Sequence, residues 1–515
     1  SPPRRPPRPP PEYIRRQRQM CIRDRYARSF GRDEARLVLL LIVTGAFLST
    51  YFLPLRFKQG ALALWTLAGI GLLFGSRPAA GLLMAHLVVY LLLHPGRRRG
   101  LWLGILAGLA GYWAFLSGDG TQSPSWWLAP VMALLATGGY RYAVLPGLAH
   151  PHIAALLRTA VIQSPVLVIC AGLAGAALGR GELTLALGML LFLTQWARLT
   201  LYHVDYRDGL VPRDVSLDRY LSVFLNPGIL PNWIWGMAIP QGYAYVNARF
   251  LCRDKNRIVL AGLQLLGIAL LYLVFWNWIK HQLVDIFSRH GVEVYNASIR
   301  QMTYAFSQGD DIGTVTVLLT SLLDMVSIVL VVAGVLHFKV GVWRLCGYDI
   351  EPSFNKPWLA TNLMAFWTRF AFHYREFLVR VFYYPVFFNF LKGHPNLRIL
   401  LASLAAAALG NLIAHLVMRN LSQGIAPLLT REVLVTWPYF ILLGLGIATS
   451  LIFMRRYKRW RKPWTPDRRF ATDLLAAYVT LQYFALIHIF ARPAPNSTPA
   501  ELAQLFLLGL GIDLR

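Results

Sequence analysis

Two polar side chains four residues apart in an apolar run are the first place to look for chemistry. LLASLAAAALGNLIAHLVM (400–418) holds Asn411 and His415, with Ser403 the only other polar residue in it. On a helix, positions four apart share a face. A neutral imidazole can take a proton from an alcohol, and a neighbouring amide can orient it or hold an acyl oxygen. Ionisable groups inside apolar spans are costly and often mark functional paths. For an isolated histidine, a hydrogen bond between packed helices is the simpler account. Asp324, in LLTSLLDMVSIVL, is a second mid-span charge, expected either to pair with a basic residue from elsewhere or to sit at a helix break. HPH (150–152) and HVD (203–205) look superficially like metal ligands. Neither has a supporting second cluster, and both adjoin span ends where polar residues are ordinary, so no metal is expected.

A third concentration of function-capable groups runs from Phe354 to Pro385, FNKPWLATNLMAFWTRFAFHYREFLVRVFYYP. Helical periodicity places Phe366, Phe370, Tyr374, Phe377 and Val381 on one side and Arg369, His373, Glu376 and Arg380 on a neighbouring one. That pattern suits a helix at a membrane interface or one lining a polar cavity. Arginines that merely snorkel to lipid headgroups would give the same pattern.

The elements that must position these residues are membrane spans. The chain has 515 residues, 56% of them hydrophobic and 15% charged, with a mean hydropathy of +0.47. Soluble proteins carry about a quarter charged residues. Apolar runs fall near 37–54, 60–74, 79–93, 100–116, 126–137, 155–178, 183–202, 229–247, 257–279, 313–338, 397–418, 433–454 and 471–490, with a short apolar tail at 501–512. The expected fold is an all-α polytopic membrane protein with roughly eleven to thirteen crossing or re-entrant helices. Segments 203–219 and 280–312 are polar. Residues 31–202 are expected to form N-terminal transmembrane helices, and 203–515 a core followed by C-terminal spans. Residues 1–30 are Pro/Arg-rich and expected to be disordered. Their MCIRDR string resembles translated read-through of a sequencing adapter, which sets the segment apart from function.

The formal charge of +27 does not point to nucleic acid. Eleven arginines lie in the first 36 residues, and others crowd short loops such as HPGRRRG (94–100) and RRYKRWRKPWTPDRR (455–469). Basic loops between apolar spans are the signature of a cytoplasmic face, with acidic headgroups a sufficient partner. If 455–469 is cytoplasmic, His415 falls toward the outer half of its helix. Cys21, Cys170, Cys252 and Cys346 are scattered, with no thiolate metal site or disulfide framework in their spacing.

GVWRLCGYDIEPSFNKPWLATNLMAFWTRFAFHYREFLVRVFYYP resembles the core signature of the membrane-bound O-acyltransferase family, above all the bacterial branch that acylates alginate, cellulose or teichoic acid. The matching positions are Gly341, Arg344, Gly347, Tyr348, Phe354, Asn355, Lys356, Pro357, Trp358, Phe366, Trp367, Arg369, Tyr383 and Pro385, aligned without a gap. The family carries its key histidine on an apolar helix downstream, the place of His415. YLSVFLNPGILPNWIWG (220–236) is a weaker echo of an upstream segment. Two features depart from the pattern. Ala371 stands where a family histidine follows F-W-x-R, with His373 two residues on, and Ile413 and Ala414 replace the usual Gly and Trp before the downstream histidine.

The resemblance implies a helical membrane protein with a central tunnel, in the bacterial inner membrane. A thioester donor, acyl-CoA or an acyl carrier, would enter from the cytoplasmic face, and a hydroxyl acceptor on an envelope polysaccharide or lipid from the other. No tightly bound cofactor is implied. His415 would act as base and Asn411 as oxyanion donor, with His373 either standing in for the missing histidine or unrelated to it. Arg344, Lys356 and Arg369 would hold donor phosphates, with Asn355 and Trp367 completing the donor site; structural ion pairs explain the arginines equally well. Membrane lipid and partner acyltransferase or export proteins are the implied associates. The rival expectation is a non-catalytic relative acting as carrier or scaffold in envelope-polymer export. A multi-span transporter would instead carry inverted repeats, and the sequence has none.

Overall fold

The computed structural model describes residues 33–74, 241–412, 431–461 and 465–514, with parts of 79–90 and of 197–228. Among these residues the chain is all-α, with a single bridge, Phe250 to Tyr348, in place of any strand. In chain order come α1 (Asp33–Phe52), α2 (Leu55–Phe74), α3 (Leu217–Phe224), α4 (Tyr243–Ala248), α5 (Lys255–Arg289), α6 (Ile299–Ser307) and α7 (Thr314–Leu345). Three short helices follow, α8 (Leu363–Phe370), α9 (Phe372–Leu378) and α10 (Tyr384–Asn389), then α11 (Pro395–Leu404), α12 (Arg431–Arg461), α13 (Pro466–Ala491) and α14 (Pro499–Gly509).

Among the described residues four stretches are long and apolar enough to cross a bilayer: α5, α7, Val435–Met454 within α12, and α13. With the all-α architecture this makes the chain a polytopic membrane protein. At about 1.5 Å per residue, α5 and α7 reach about 50 Å, well beyond a hydrocarbon core of about 30 Å. Asp254 starts α5, its carboxylate accepting from the N–H groups of Asn256 at 2.8 Å and Arg257 at 3.2 Å. The helix therefore runs ten residues into the segment that looked polar from 280 onward. Leu260, Leu263, Leu270, Leu271, Val274 and Trp278 stay exposed on it, the outward face expected of a lipid-contacting helix. Its other face lies antiparallel on α7. Close approach is possible because Gly262 and Gly341 oppose each other; a Cβ on Gly341 would stand 2.8 Å from Leu266 and 3.1 Å from the Gly262 carbonyl.

The largest core gathers α7, α8, α12, α13 and α14 around Phe366 and Phe484, whose rings lie 4.5 Å apart. A second core joins α2, α3, α4 and the end of α7 through Tyr202, Tyr220 and Trp343. Arg198, fully buried, closes the C-terminus of α3 by donating to the carbonyls of Val223 and Phe224 while lying over the Trp343 ring. A guanidinium at unpaired terminal carbonyls satisfies them and opposes the negative end of the helix dipole.

Three expectations change. The 354–385 stretch is not one helix, because Ala371 leaves the helical region at φ −149°, ψ 61° and separates α8 from α9. Residues 379–383 then form a π-turn. The 229–247 run is not a continuous span at its end: Gln241 and Gly242 are non-helical before α4, while 229–240 lie outside the described residues. The 397–418 run is helical from Pro395 but passes through a second π-turn, Ala405–Gly410. The spans at 100–116, 126–137 and 155–178 lie outside the described residues, as does His415.

Candidate functional site

The site is assembled from the end of α7 onward. Gly347, at φ +85°, lets the chain turn sharply after Cys346. Arg344 locks that turn, donating from Nε to the Ile350 carbonyl at 3.0 Å and pairing with Asp349 at 3.5 Å. This structural ion pair, open as an alternative from the sequence, accounts for the Arg344 side chain. Glu351 follows, paired with Arg249 at 2.6 Å.

The loop from Ser353 to Asn362 then runs against the break between α8 and α9. Asn355 N–H donates to the Arg369 carbonyl at 2.7 Å, and Phe372 N–H to the Ser353 carbonyl at 3.0 Å. The interruption at Ala371 frees backbone groups of a helix end, and the backbone of Ser353 and Asn355 satisfies them. Phe354 plugs the junction, its ring 5.7 Å from Trp358, 6.3 Å from Phe370 and 5.7 Å from His337 on α7. Lys356 adopts the left-handed region at φ +45°, and it and Asn355 are exposed. Asn362 caps α8 through the Ala365 N–H at 2.9 Å. Asn355 is thus brought against Arg369 through the backbone, Trp367 packs on Phe370 and Phe484, and Arg344 is committed to its own turn. The Trp367 indole N–H, the Ser353 hydroxyl and His337 Nδ1 are buried with no hydrogen-bond partner among the described residues. His337 drew no attention in the sequence because HFKV near a span end carries no motif.

His373 is fully buried, with both nitrogens engaged. Nε2 lies 2.7 Å from the Glu351 carbonyl, which only accepts, so Nε2 carries the proton. The Gln241 amide donates to Nδ1 at 3.0 Å. No nitrogen is left over for an acceptor hydroxyl in this arrangement. His373 lies outside the four spanning helices, on a helix of seven residues. Burial pushes its pKa down to about 4, despite the Glu351 carbonyl bond that acts the other way. A histidine held below its unfolded value of about 6.5 contributes stability that is fully present above pH 6.5 and lost as pH falls toward 4. Over that window the unfolded chain binds the proton first. Thermal unfolding of the detergent-solubilised protein is therefore expected to show a midpoint falling from pH 6.5 to 4, with a shallower fall in His373→Gln. Equal slopes for the two proteins would contradict the linkage.

Asn411 follows the second π-turn. Its Oδ1 accepts from the Tyr374 hydroxyl at 2.8 Å, and its Nδ2 donates to the Ala407 carbonyl at 2.8 Å. The two π-turns lie close together, since a Cβ on Gly410 would come within 2.7 Å of Leu378 and 3.1 Å of Phe382. Such turns recur at functional sites. The sequence marked Tyr374 only as an apolar-face aromatic, and no local signal tied it to a residue 37 positions away.

The two charges noted from the sequence are also paired. Asp324 meets Arg492 at 3.4 Å, the partner from elsewhere that was one of its two expectations. Asp205 of the HVD triplet accepts from Arg380 at 2.6 Å and from the Ala244 N–H at 3.1 Å, an ion pair and helix cap rather than an open ligand.

Fold and site together define the class: an all-α polytopic membrane protein whose polar side chains converge where short, interrupted helices meet. No family model matches the chain. Over 157 residues it is 25% identical to teichoic acid D-alanyltransferase of Bacillus subtilis (strain 168). That alignment takes in 29% of this chain and 34% of the other protein, so the chain spans about a third of the relative's length. The similarity is distant and partial.

Proposed function

We propose that this protein transfers an acyl group from a thioester donor to a hydroxyl of an envelope polysaccharide or lipid. The observation that carries the reading is the similarity to a teichoic acid D-alanyltransferase, which agrees with the motif resemblance from Gly341 to Pro385. In the proposed reaction the acceptor oxygen attacks the thioester carbonyl as His415 removes the hydroxyl proton. The developing oxyanion is held by Asn411, the C–S bond breaks, and the thiolate leaves with the proton returned from His415. Products are an ester and a free thiol. A water-poor site inside the membrane would limit hydrolysis of the thioester.

Lys356, exposed beside the junction, and Arg369 are the proposed contacts for phosphates of acyl-CoA or a carrier, by charge-assisted hydrogen bonds. The unpartnered Trp367 indole N–H is a further donor for the substrate. The proposed setting is a bacterial inner membrane, with partner acyltransferase or export proteins as associates. His373 is assigned to holding the 241, 351 and 373 segments together rather than to proton transfer.

A second reading, a non-catalytic carrier or scaffold in polymer export, draws on Ala371 and on the full engagement of His373. One experiment separates them. Mass spectrometry of surface glycans and lipids should show a specific ester lost on gene deletion and equally lost in His415→Ala at unchanged protein level. An ester retained in His415→Ala removes His415 as base, and no change on deletion favours the scaffold.

A further inference from the structure

We propose that Tyr374 is the positioning residue for Asn411: its hydroxyl fixes which end of the amide faces the reacting acyl group. The inference rests on the acyl-transfer reading and deepens it at one atom. Asn411 offers one carbonyl oxygen and two N–H donors. Which end is which is normally assigned from partners, and here the partners leave no choice. The Ala407 carbonyl, 2.8 Å away, can only accept, so the end facing it must be the NH2 group. The opposite end, 2.8 Å from Tyr374, is then the oxygen, and the phenol must donate. One amide N–H remains uncommitted by these two bonds, and it is the donor that an acyl oxygen would use.

Without the phenolic hydroxyl, only the bond to the Ala407 carbonyl would resist turning of the amide about its side-chain bonds. The hydrogen bond into Oδ1 also withdraws electron density from the amide, making the remaining N–H a stronger donor in a medium of low polarity. A donor aimed before the reaction begins costs no reorganisation when charge develops. The ring itself is held by stacking on Phe377, with centroids 6.4 Å apart and planes 20° apart. Tyr374→Phe therefore removes the hydroxyl and keeps the packing. A half-buried tyrosine hydroxyl commonly finds a partner in any case, so a purely structural role must be separated by a readout it would not move.

That readout is a double-mutant cycle on the rate of surface-ester formation per molecule of protein, followed by mass spectrometry in cells carrying the full chain. Tyr374→Phe is expected to lower the rate about tenfold. Asn411→Ala should lower it further, and the double variant should be no slower than Asn411→Ala alone, because Tyr374 acts through Asn411. Multiplication of the two effects in the double variant means independent roles and overturns the proposal. A wild-type rate in Tyr374→Phe overturns it too. If wild-type cells and a gene deletion carry the same esters, the acyl-transfer reading itself fails and takes the positioning role with it.

Discussion

Asp205→Ala should cost about 3–5 kcal/mol of stability, the range for removing one partner of a buried ion pair. Asp205 is 1% exposed and makes two distinct bonds, Oδ1 to Arg380 on the first π-turn and Oδ2 to the first turn of α4. Its loss strands a guanidinium that is itself only 22% exposed. It also leaves the Ala244 N–H without its cap. The neighbouring Gly242 shows how tightly the carboxylate is enclosed, since a Cβ there would collide with Oδ2. Urea or thermal unfolding in detergent measures the effect, and combining Asp205→Leu with Arg380→Met should recover much of it by removing both charges. Unchanged unfolding in Asp205→Ala would show that Arg380 finds water or lipid phosphate at no cost.

Asn411→Ala should reduce surface-ester formation by a factor of about 100 to 1,000, the usual loss when one preorganised oxyanion donor is deleted. A smaller effect accompanies it: the half-buried Tyr374 hydroxyl loses this partner, at about 1 kcal/mol. Rate and stability therefore need separate measurement, by ester mass spectrometry at matched protein level and by unfolding of the purified chain. Full ester formation in Asn411→Ala would remove this residue from the chemistry.

Much of the scaffold was legible because its signals are local. Apolar runs near 257–279, 313–338, 433–454 and 471–490 became α5, α7, α12 and α13, each longer than the run that announced it. The extra length comes from polar ends, such as the Asp254 cap and the stretch through Arg289, which hydropathy discounts. The reading of one continuous helix failed where the 3.6-residue period is interrupted, at the Ala371 break and in the two π-turns. An inserted residue shifts every later side chain around the axis, and composition does not reveal it. The partners of His373 and Asp205 were hidden for another reason. Gln241 lies 132 positions from His373, and Arg380 lies 175 from Asp205, so only the packed chain brings them together.

The second π-turn has a consequence for how this site can change over generations. It is built on four successive alanines, Ala405 to Ala408. Each is nearly interchangeable with the next, so losing or gaining one leaves the local composition almost untouched. Each residue of an α-helix advances the spiral by about 100°. A one-residue change in the length of this tract would swing Asn411 by about that angle relative to the preceding helix and out of reach of Tyr374. Point substitutions in the tract alter packing by a methyl or two, whereas a single-codon slip resets the azimuth of the amide. Homologues that keep the amide should therefore hold the alanine tract to a fixed length, even where its residue types drift.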